Sequence, residues 1–394
     1  MRTINLNGKE LATPNLFASY RLGDVTSAGV KFFPWKITNT QAVLVNAYDL
    51  IENPKCSGYR KRLTEQHKTI RQHIEFNGPL MIDSGAYYFL RSGNIHVRPT
   101  DVLQVEQNSD ADLGVILDHP FPPKATDKQQ RINRTLANTR TMFANFTKEE
   151  HSAFELLPVV HGHDAKTIKK TIDRLYVISE KYNGGKLDKL GIGSLAPLAQ
   201  NGNKELAVEV LTNVRCLLPN TYLHCFSMGS SLLMLLAFYC GADTVDSQTW
   251  IISAAFKFIQ MPGHAIFRLA TRERAANPYR YDKKIKEIKK LILDLYSREG
   301  FVLKDWQSGE ILRDPNGSDI DQYINELTDR RGQRHLHNRA CHNLWVFNFE
   351  AKRARQEKRR GNFEEFIGGR LKDTKYYDAF LYAKQMRKDL KIRA

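Results

Sequence analysis

The sequence is poor in cysteine and has no long hydrophobic run. Its five cysteines are an odd number, are widely spaced and form no CxxC pair, which argues against a disulfide framework and a standard zinc module. No apolar run approaches the roughly 18 residues that span a bilayer, and the first residues lack the apolar segment of a signal peptide. We therefore expect a cytoplasmic protein with reduced thiols and no membrane partner.

Two phosphate-binding signatures are also missing. No GxxxxGK[ST] occurs in the chain, and no GxGxxG follows its first predicted strand. The P-loop and dinucleotide-binding folds therefore lose their main support. The composition still indicates a globular protein, because 42% of the residues are hydrophobic and 10% are aromatic.

Negative charge is in deficit along this chain. Lys and Arg number 59 against 43 Asp and Glu, which gives a net charge of +16 over 394 residues. The segment from Lys352 to Ala394 holds 14 basic and 6 acidic residues, and thus half of the net charge. Because Lys and Arg neutralise phosphates, the excess indicates a polyanionic partner without identifying it.

Short aliphatic runs alternate with amphipathic helical segments in the first two thirds of the chain. Seven such runs lie at 42–48, 79–85, 112–118, 156–162, 190–195, 222–226 and 242–247. An eighth is expected at 14–22 or 30–37. This alternation predicts an α/β fold, a (β/α)₈ TIM barrel in residues 1–272, followed by a basic and mostly helical C-terminal region in residues 273–394.

Polar side chains end several of these predicted strands. They are Asp83, Asp118, His161, Ser194, His224 and Asp246. In a barrel of parallel strands, the C-terminal strand ends face one common mouth. Each aspartate alone could simply cap the following helix, but three carboxylates in one mouth are costly to keep ionised unless something binds them. The mouth is therefore the predicted active site.

The residues around Asp83 indicate a planar ligand. A turn of small residues follows it and leads to Tyr87 and Tyr88, either of which could stack on a ring. In retaining glycosyl transfer, one carboxylate is the nucleophile at the anomeric carbon and another transfers protons. A third carboxylate could accept hydrogen bonds from the N–H donors of a guanine. In a basic protein, that guanine would be a base flipped out of a nucleic acid.

The same motifs resemble, in order, those of the tRNA-guanine transglycosylase superfamily. Residues 46–50 (NAYDL) resemble its NTYHL, 83–87 (DSGAY) its DSGGF/Y, 117–118 (LD) its (L/F)DE, 160–162 (VHG) its VQG, and 192–196 (IGSLA) its IGGLA. Residues 224–247 follow the spacing of H(L/F)xGxG…GxDxFD, and 341–344 (CHNL) contain the HNL of the last long helix. The likeness is strongest to the archaeal-type enzymes and to the DNA-guanine transglycosylases, which insert 7-deazaguanines into DNA.

The resemblance implies a role for each matched residue. Asp246 would be the nucleophile at C1′ of the target nucleoside, and Asp83 the general acid/base at N9 of the bases. Asp118 would accept hydrogen bonds from N1–H and the exocyclic amine of guanine. The remaining implied substrate-binding or supporting residues are His161, Gly193, Ser194, Tyr87, Ser84 and Asn46.

Two departures from the family pattern affect these roles. His161 stands where the family has Gln, so an imidazole would take over a hydrogen bond of an amide. The CxCxxC that holds the family's structural zinc is also missing. Substitute ligands could come from His335, His337, Cys341 and His342, but adjacent Cys341 and His342 cannot easily share one ion on a continuous helix. We therefore predict no metal ligand and no cofactor.

The leading hypothesis is a DNA-guanine transglycosylase that exchanges guanine for a free 7-deazaguanine base. DNA is favoured over tRNA because the chain lacks the family's extra RNA-binding domain and ends in a basic tail. A tRNA enzyme, a non-catalytic nucleic-acid-binding subunit and a barrel glycosidase remain alternatives, and a homodimer or partner subunits are also considered. The residues expected to contact phosphates are Arg353, Arg355, Lys358, Arg359 and Arg360.

Overall fold

A computed structural model describes residues 2–22, 33–53, 56–90, 95–146, 154–182, 184–185, 187–200, 202–269, 278–312, 318–328 and 334–392. Its centre is a barrel of parallel strands in which the last strand pairs with the first. In chain order these strands are β3 (Asn15–Ser19), β4 (Val43–Asn46), β5 (Leu80–Asp83), β6 (Leu113–Val115), β7 (Glu155–Leu157), β8 (Val159–Val160), β9 (Lys189–Ile192), β10 (Tyr222–Cys225) and β11 (Thr244–Ser247).

One strand of the barrel is interrupted by a proline. β7 pairs with β6, β8 pairs with β9, and Pro158 lies between β7 and β8. Because proline has no N–H to donate, ladder pairing stops there. With β7 and β8 taken as one strand, the barrel has eight, which confirms the predicted (β/α)₈ TIM barrel. The eighth predicted strand is Asn15–Ser19, whereas Trp35–Thr38, in the alternative range, is helical.

Helices surround the barrel. They are α1 (Trp35–Thr38), α2 (Ala47–Ile51), α3 (Ser57–Glu65), α4 (Ile70–Ile74), α5 (Pro99–Asn108), α6 (Lys128–Asn145), α7 (Ala165–Tyr182), α8 (Ala196–Gln200), α9 (Lys204–Leu217), α10 (Ser231–Tyr239) and α11 (Thr249–Ala255), with a 3₁₀ turn at Ala86–Phe89. In α7, Ile168, Ile172, Leu175 and Ile178 recur at three- and four-residue spacing and are all buried. This stripe places one face of α7 against the barrel.

A hairpin covers the N-terminal end of the barrel. It consists of β1 (Thr3–Leu6) and β2 (Lys9–Ala12), and its Leu6 and Leu11 pack into the apolar cluster that fills the barrel interior. The carboxylate of Asp112, just before β6, accepts a hydrogen bond from Lys9 Nζ at 2.5 Å and one from Arg71 at 2.7 Å. The sequence analysis did not predict this hairpin.

The C-terminal region is helical, as predicted. After a second hairpin, β12 (Phe258–Met261) and β13 (His264–Arg268), it contains α12 (Pro278–Glu299), α13 (Ser318–Thr328), α14 (Arg334–Arg360), α15 (Phe363–Leu371) and α16 (Tyr377–Asp389). Asn343 of α14 donates to the carbonyl of Trp250, which follows the last barrel strand. Arg355 donates to the carbonyl of Pro14, which precedes the first barrel strand. Helix α14 therefore runs along the barrel from its C-terminal to its N-terminal end.

Helices α14 and α15 pack against α10, and α16 packs against α9. Every residue of α10 is buried as a result. The predicted boundary between residues 272 and 273 lies outside the described residues and stays a prediction. Among the residues that are described, no helix is long and apolar enough to cross a membrane.

Candidate active site

Three carboxylates lie at the C-terminal end of the barrel. Asp83 is the last residue of β5, Asp118 follows β6, and Asp246 belongs to β11. Burial is the largest influence on Asp83 and raises the pKa of its carboxyl well above the usual value, and the charges of Asp118 and Asp246 raise this pKa further. The structure thus brings together the three aspartates predicted from the sequence, and it favours a proton on Asp83.

The turn after β5 fits closely around Asp83. Oδ2 of Asp83 accepts hydrogen bonds from Asn46 Nδ2 at 3.1 Å and from the N–H of Gly85 at 3.2 Å. Gly85 has a φ of +88°, and a Cβ there would lie 2.4 Å from Asn46 Oδ1. Glycine is therefore required in this turn for its backbone conformation and for space. The prediction that Asn46 supports a carboxylate agrees with this contact.

Asp118 is linked to His161 and Ser194 in a buried chain. Nε2 of His161 lies 3.1 Å from Oδ2 of Asp118, and Nδ1 lies 2.9 Å from the hydroxyl oxygen of Ser194. That hydroxyl accepts a hydrogen bond from the N–H of Phe121 at 3.0 Å, so its own proton can be donated to Nδ1. With Nδ1 as the acceptor, the ring proton lies on Nε2, which is close to Asp118 but forms no hydrogen bond to any described residue. Ser84, predicted as a support, contacts Asp118 Oδ1 at 3.4 Å.

His161 and Ser194, which both differ from the motifs that the sequence resembles, therefore contact each other. Ser194 replaces the second glycine of the IGGLA pattern and has a φ of +62°, a conformation that favours glycine. His161 replaces the glutamine of the VQG pattern. Gly193 is also explained by His161, because a Cβ at position 193 would lie 2.3 Å from Cε1 of the imidazole. The predicted contact of the 193–194 backbone with a base stays a prediction.

Asp246 is held by the loop that follows β10. Its Oδ1 accepts a hydrogen bond from the N–H of Ser227 at 2.6 Å, and His224 Nε2 lies 3.5 Å from the same oxygen. Ser247, the next residue in β11, donates to the carbonyl of Gly229 at 2.6 Å and so holds the same loop. The sequence identified His224 as a strand end and as part of a motif but gave it no role.

Aromatic side chains lie beside the mouth. Tyr87 and Tyr88, in the 3₁₀ turn after Asp83, are each 42% exposed, which suits a surface on which a ring could stack. The rings of Tyr48 and Tyr88 lie 4.8 Å apart, and the guanidinium of Arg21 lies 5.7 Å from the ring of Tyr88. Neither Tyr48 nor Arg21 was predicted to belong to the site, because neither residue is an ionisable group at the end of a hydrophobic run.

The residues predicted to contact phosphates lie at the other end of the barrel. Arg353 pairs with Glu357 at 3.2 Å, Arg355 donates to Pro14, and Arg360 pairs with Glu357 at 3.0 Å. Burial lowers the pKa of Lys358, whose ammonium lies 5.2 Å from the ring of Phe363, whereas Arg359 is exposed. The structure does not bring this basic run to the mouth, and its contact with phosphates stays a prediction.

The residues around His342 do not fit the structural zinc of the family. Its Nδ1 lies 2.6 Å from the hydroxyl of Tyr323, and its Nε2 lies 2.8 Å from the carbonyl of Gln260. Both ring nitrogens are thus engaged in hydrogen bonds. Burial raises the pKa of the adjacent Cys341 thiol, which disfavours the thiolate that binds zinc. In the described part of the chain, no three His, Cys, Asp or Glu side chains converge on a metal site.

Comparisons with known proteins agree with this geometry. The family model of queuine tRNA-ribosyltransferase matches residues 1–281. The tRNA-guanine(15) transglycosylase of Nanoarchaeum equitans is 25% identical over 291 residues, which cover 73% of this chain and 64% of the relative. The enzyme of the same name from Methanothermobacter thermautotrophicus is 27% identical over 222 residues, 54% of this chain and 31% of the relative.

A third relative, the tRNA-guanine(15) transglycosylase of Pyrobaculum aerophilum, is 28% identical over 193 residues, 47% of this chain and 36% of the relative. The chain therefore spans between about a third and just under two thirds of the length of these relatives. The family match covers the barrel and all three aspartates of its mouth. This chain belongs to the queuine tRNA-ribosyltransferase family, within the superfamily that its motifs resemble.

Proposed function

We propose that this chain is a guanine transglycosylase, which replaces a guanine in a nucleic acid by another base through a covalent glycosyl-enzyme. The observation that carries the proposal is that Asp83 and Asp246, two of the three carboxylates at the mouth, lie in different environments. The pKa of Asp83 is raised, so Asp83 can hold a proton, while Asp246 is oriented by a backbone N–H. A protonated acid beside an oriented carboxylate is what a retaining displacement needs.

The proposed reaction has two displacements. In the first, Asp246 attacks C1′, the C1′–N9 bond breaks with its electron pair moving to guanine, and Asp83 gives its proton to the leaving base. In the second, Asp83 takes the N9 proton of the incoming base, whose N9 attacks C1′ and releases Asp246. Two inversions retain the anomeric configuration, and the energy of the first glycosidic bond is kept in the ester.

Base recognition is proposed to depend on Asp118. Its carboxylate can accept hydrogen bonds from N1–H and the exocyclic amine of guanine, a pairing that suits two adjacent donors. Nε2 of His161 lies 3.1 Å from this carboxylate, so His161 would act through Asp118. We propose that Tyr87 stacks on the bound base, and that a free 7-deazaguanine base, which offers the same edge, is the incoming substrate.

The identity of the polymer is the open choice within this proposal. The relatives reported above are named for tRNA, and this supports tRNA over DNA. The DNA substrate expected from the sequence stays a second candidate. Arg353, Arg355, Lys358, Arg359 and Arg360 could contact phosphates only of a polymer that reaches the N-terminal end of the barrel. A homodimer or a partner subunit likewise stays a prediction.

Labelled guanine tests the proposed exchange directly. The protein is incubated with labelled guanine and either tRNA or duplex DNA, and label is counted in the recovered polymer. We expect label in tRNA; label in DNA alone would establish the second candidate. A polymer that stays unlabelled in both cases, with no covalent adduct, would contradict base exchange and favour a non-catalytic subunit.

The nucleophile is tested by trapping the covalent adduct. Asp246→Asn should abolish the adduct seen on a denaturing gel, because an amide is a poor nucleophile at C1′. Asp378→Asn, at an exposed position on α16, is the matched control and should form the adduct as the wild type does. An undiminished adduct in Asp246→Asn would refute the assignment of the nucleophile.

A further inference from the structure

We propose that His224 is the positioning residue of the nucleophile, and that it selects which oxygen of Asp246 attacks. The inference rests on the proposed function, since it takes Asp246 as the attacking group. It concerns a chain of four side chains, Tyr222, Thr244, His224 and Asp246, which we call the barrel chain. None of the three side chains behind Asp246 has been given a role above.

The barrel chain runs through the interior of the barrel and ends at the mouth. The hydroxyls of Tyr222 and Thr244 are 2.5 Å apart, and Thr244 Oγ1 lies 2.8 Å from Nδ1 of His224. Tyr222, Thr244 and His224 are fully buried. Barrel interiors are usually filled by aliphatic side chains, and a buried polar chain is costly unless all its groups are paired. His224 Nε2, at the end of the chain beside Asp246, has no hydrogen-bond partner among the described residues, and this unpaired buried group points to a role beyond packing.

The hydroxyls determine where His224 carries its proton. Thr244 is the one hydrogen-bond partner of the Tyr222 hydroxyl in the described part of the chain, so the buried phenol donates to Thr244. Thr244 in turn has its proton available for Nδ1 of His224, which must accept. A proton on Nε2 then lies beside Oδ1 of Asp246, which is 3.5 Å away, and Nε2 forms no hydrogen bond to any described residue. Such contacts are often long in free enzymes and shorten when substrate binds.

The two oxygens of Asp246 are consequently in different environments. Oδ1 receives the N–H of Ser227 at 2.6 Å and faces the Nε2–H of His224. Oδ2 has no hydrogen-bond partner among the residues that the structure describes, which leaves its lone pairs for C1′. After attack through Oδ2, Oδ1 becomes the carbonyl oxygen of the ester, keeps the N–H of Ser227 as a donor and gains that of His224 as the contact shortens. When the second base attacks C1′, the C1′–Oδ2 electron pair returns to the carboxylate, and the same donors stabilise its charge.

The rings beside His224 hold the imidazole in place. Phe17 and Phe226 each meet it edge-on, with ring centroids 5.6 Å and 4.6 Å away. The imidazole therefore has little freedom to turn its Nε2 away from Asp246. The phenylalanines would not by themselves determine the tautomer, because neither offers a hydrogen-bonding group. This assignment falls to Thr244.

Two substitutions of His224 separate positioning from packing. A Gln at this position can place its amide N–H near the site of Nε2, whereas an Asn reaches only the site of Nδ1. We expect His224→Asn to slow single-turnover formation of the covalent adduct by roughly 10- to 100-fold, the range for a lost hydrogen bond to a charged group. His224→Gln should stay within about 10-fold of the wild type. The KM for the incoming base should change little in both.

Thr244 provides an independent test of the same chain. Thr244→Ser keeps the hydroxyl and should keep the rate, whereas Thr244→Val removes the donor to Nδ1 and should slow adduct formation as His224→Asn does. Thermal unfolding of all four variants shows whether a slow variant is merely unfolded. Equal adduct rates for His224→Gln and His224→Asn, in variants that unfold at similar temperatures, would overturn the proposal.

Nitrogen NMR of histidine-labelled protein tests the tautomer without any reaction. The signals of His224 are those that disappear in His224→Gln. A proton on Nε2 supports the proposal, and a proton on Nδ1 alone overturns it. If the wild type forms no adduct with either polymer, the proposed function fails while the NMR result still decides the position of the proton. If the wild type forms the adduct and His224→Asn forms it equally fast, the His224 proposal alone fails.

Discussion

At the scale of single residues, His161 and Ser194 depart together from the patterns of the family. A glycine at position 194 has no side chain with which to bond a residue at position 161. Here the hydroxyl of Ser194 lies 2.9 Å from Nδ1 of His161 and holds the imidazole. The serine takes on a left-handed φ of +62°, which glycine adopts without strain. The hydrogen bond offsets that strain, so each departure is understandable only with the other present.

A double-mutant cycle should reveal this dependence. Ser194→Gly alone relieves strain but leaves Nδ1 of His161 and the N–H of Phe121 without their partner. In the His161→Gln background the same change should cost less, with a coupling free energy of about 1 kcal/mol in urea unfolding. Additive effects of the two substitutions would contradict the compensation.

The raised pKa of Asp83 makes a prediction about stability and pH. The folded chain keeps the Asp83 proton to a higher pH than the unfolded chain does, so the folded state binds more protons in this window. Wild-type stability is therefore lost as the pH rises from the usual pKa of an aspartate to the raised pKa. The side chain of Asp83→Asn cannot ionise. As the pH rises through this window, the unfolding free energy of Asp83→Asn minus that of the wild type should therefore grow by at most about 1.4 kcal/mol per pH unit.

Urea unfolding at a series of pH values measures this difference. Asp378→Asn on the exposed face of α16 is the matched control and should show no such growth. The same Asp83→Asn protein should lose guanine exchange, because an amide has no proton of suitable acidity to give to N9. A stability difference that is constant with pH would argue against a retained proton on Asp83.

Much of this residue-scale picture was open to prediction from the sequence. Ionisable groups that end hydrophobic runs at Asp83, Asp118 and Asp246 identified the mouth, because parallel strands all end on one side. Which neighbouring residue orients each of these carboxylates could not be predicted, since it depends on how neighbouring strands are aligned. The contact of His161 with Ser194 joins positions 33 residues apart.

At the scale of elements, α14 is attached to the barrel by hydrogen bonds in the region where the resemblance led us to consider a structural zinc. His342 connects Tyr323 of α13 to the carbonyl of Gln260 in β12, and the neighbouring Asn343 accepts from the N–H of Gln260 at 2.7 Å. Three elements thus meet at two adjacent side chains. The arrangement needs a neutral imidazole, and burial lowers the pKa of His342 to about 4.

Removal of the Tyr323 hydroxyl should weaken this attachment. Tyr323→Phe leaves a buried ring nitrogen unpaired and should lower the unfolding free energy by about 1 to 3 kcal/mol. Tyr279→Phe, at a position that is 77% exposed, is the control and should change it by less than about 0.5 kcal/mol.

Dialysis against EDTA should leave the unfolding temperature of the wild type unchanged. Both ring nitrogens of His342 already have partners, and the described residues offer no other set of ligands around it. A fall in unfolding temperature on chelation, reversed by zinc, would show that a metal holds this region.

Some elements followed from periodicity and others did not. The mostly helical character of the C-terminal region was predicted, but the start of α14 at Arg334 does not follow from periodicity. Its first turns are rich in histidine and arginine and show no clear apolar stripe, and the residues that cover them come from α13 and β12. The hairpin of β1 and β2 was missed because four-residue strands carry too little alternation to be distinguished from a loop.

At the scale of the whole molecule, charge and chemistry lie at opposite ends of one barrel. Arg355 contacts Pro14 before the first strand, whereas the carboxylates lie at or just beyond the C-terminal ends of their strands. A strand of five residues spans roughly 17 Å, so the basic run lies at least about that far from the mouth. A polymer that contacts both must extend along the side of the barrel.

The salt dependence of polymer binding should show whether the polymer extends along the side of the barrel to the basic run. The double substitution of Arg359 and Arg360 by Ala should lower the salt slope of binding by about two, one for each lost phosphate contact. The single-turnover rate at saturating polymer should be unchanged, because these residues are remote from the carboxylates. Lys124 is exposed in the loop after β6, and Lys124→Ala is the comparison variant for a basic residue at the mouth. An unaltered slope in the double variant would exclude the basic run from the contact surface.

The hairpin at the N-terminal end of the barrel determines how substrates enter and products leave the site. With β1 and β2 covering one end and packed side chains filling the interior, the described residues leave access to the carboxylates only through the mouth. Guanine must depart by the route through which its replacement arrives, so the two bases cannot be bound at once. Initial rates should therefore give parallel lines in double-reciprocal plots, the pattern of a ping-pong exchange. Intersecting lines would show that both substrates bind together and would contradict this prediction.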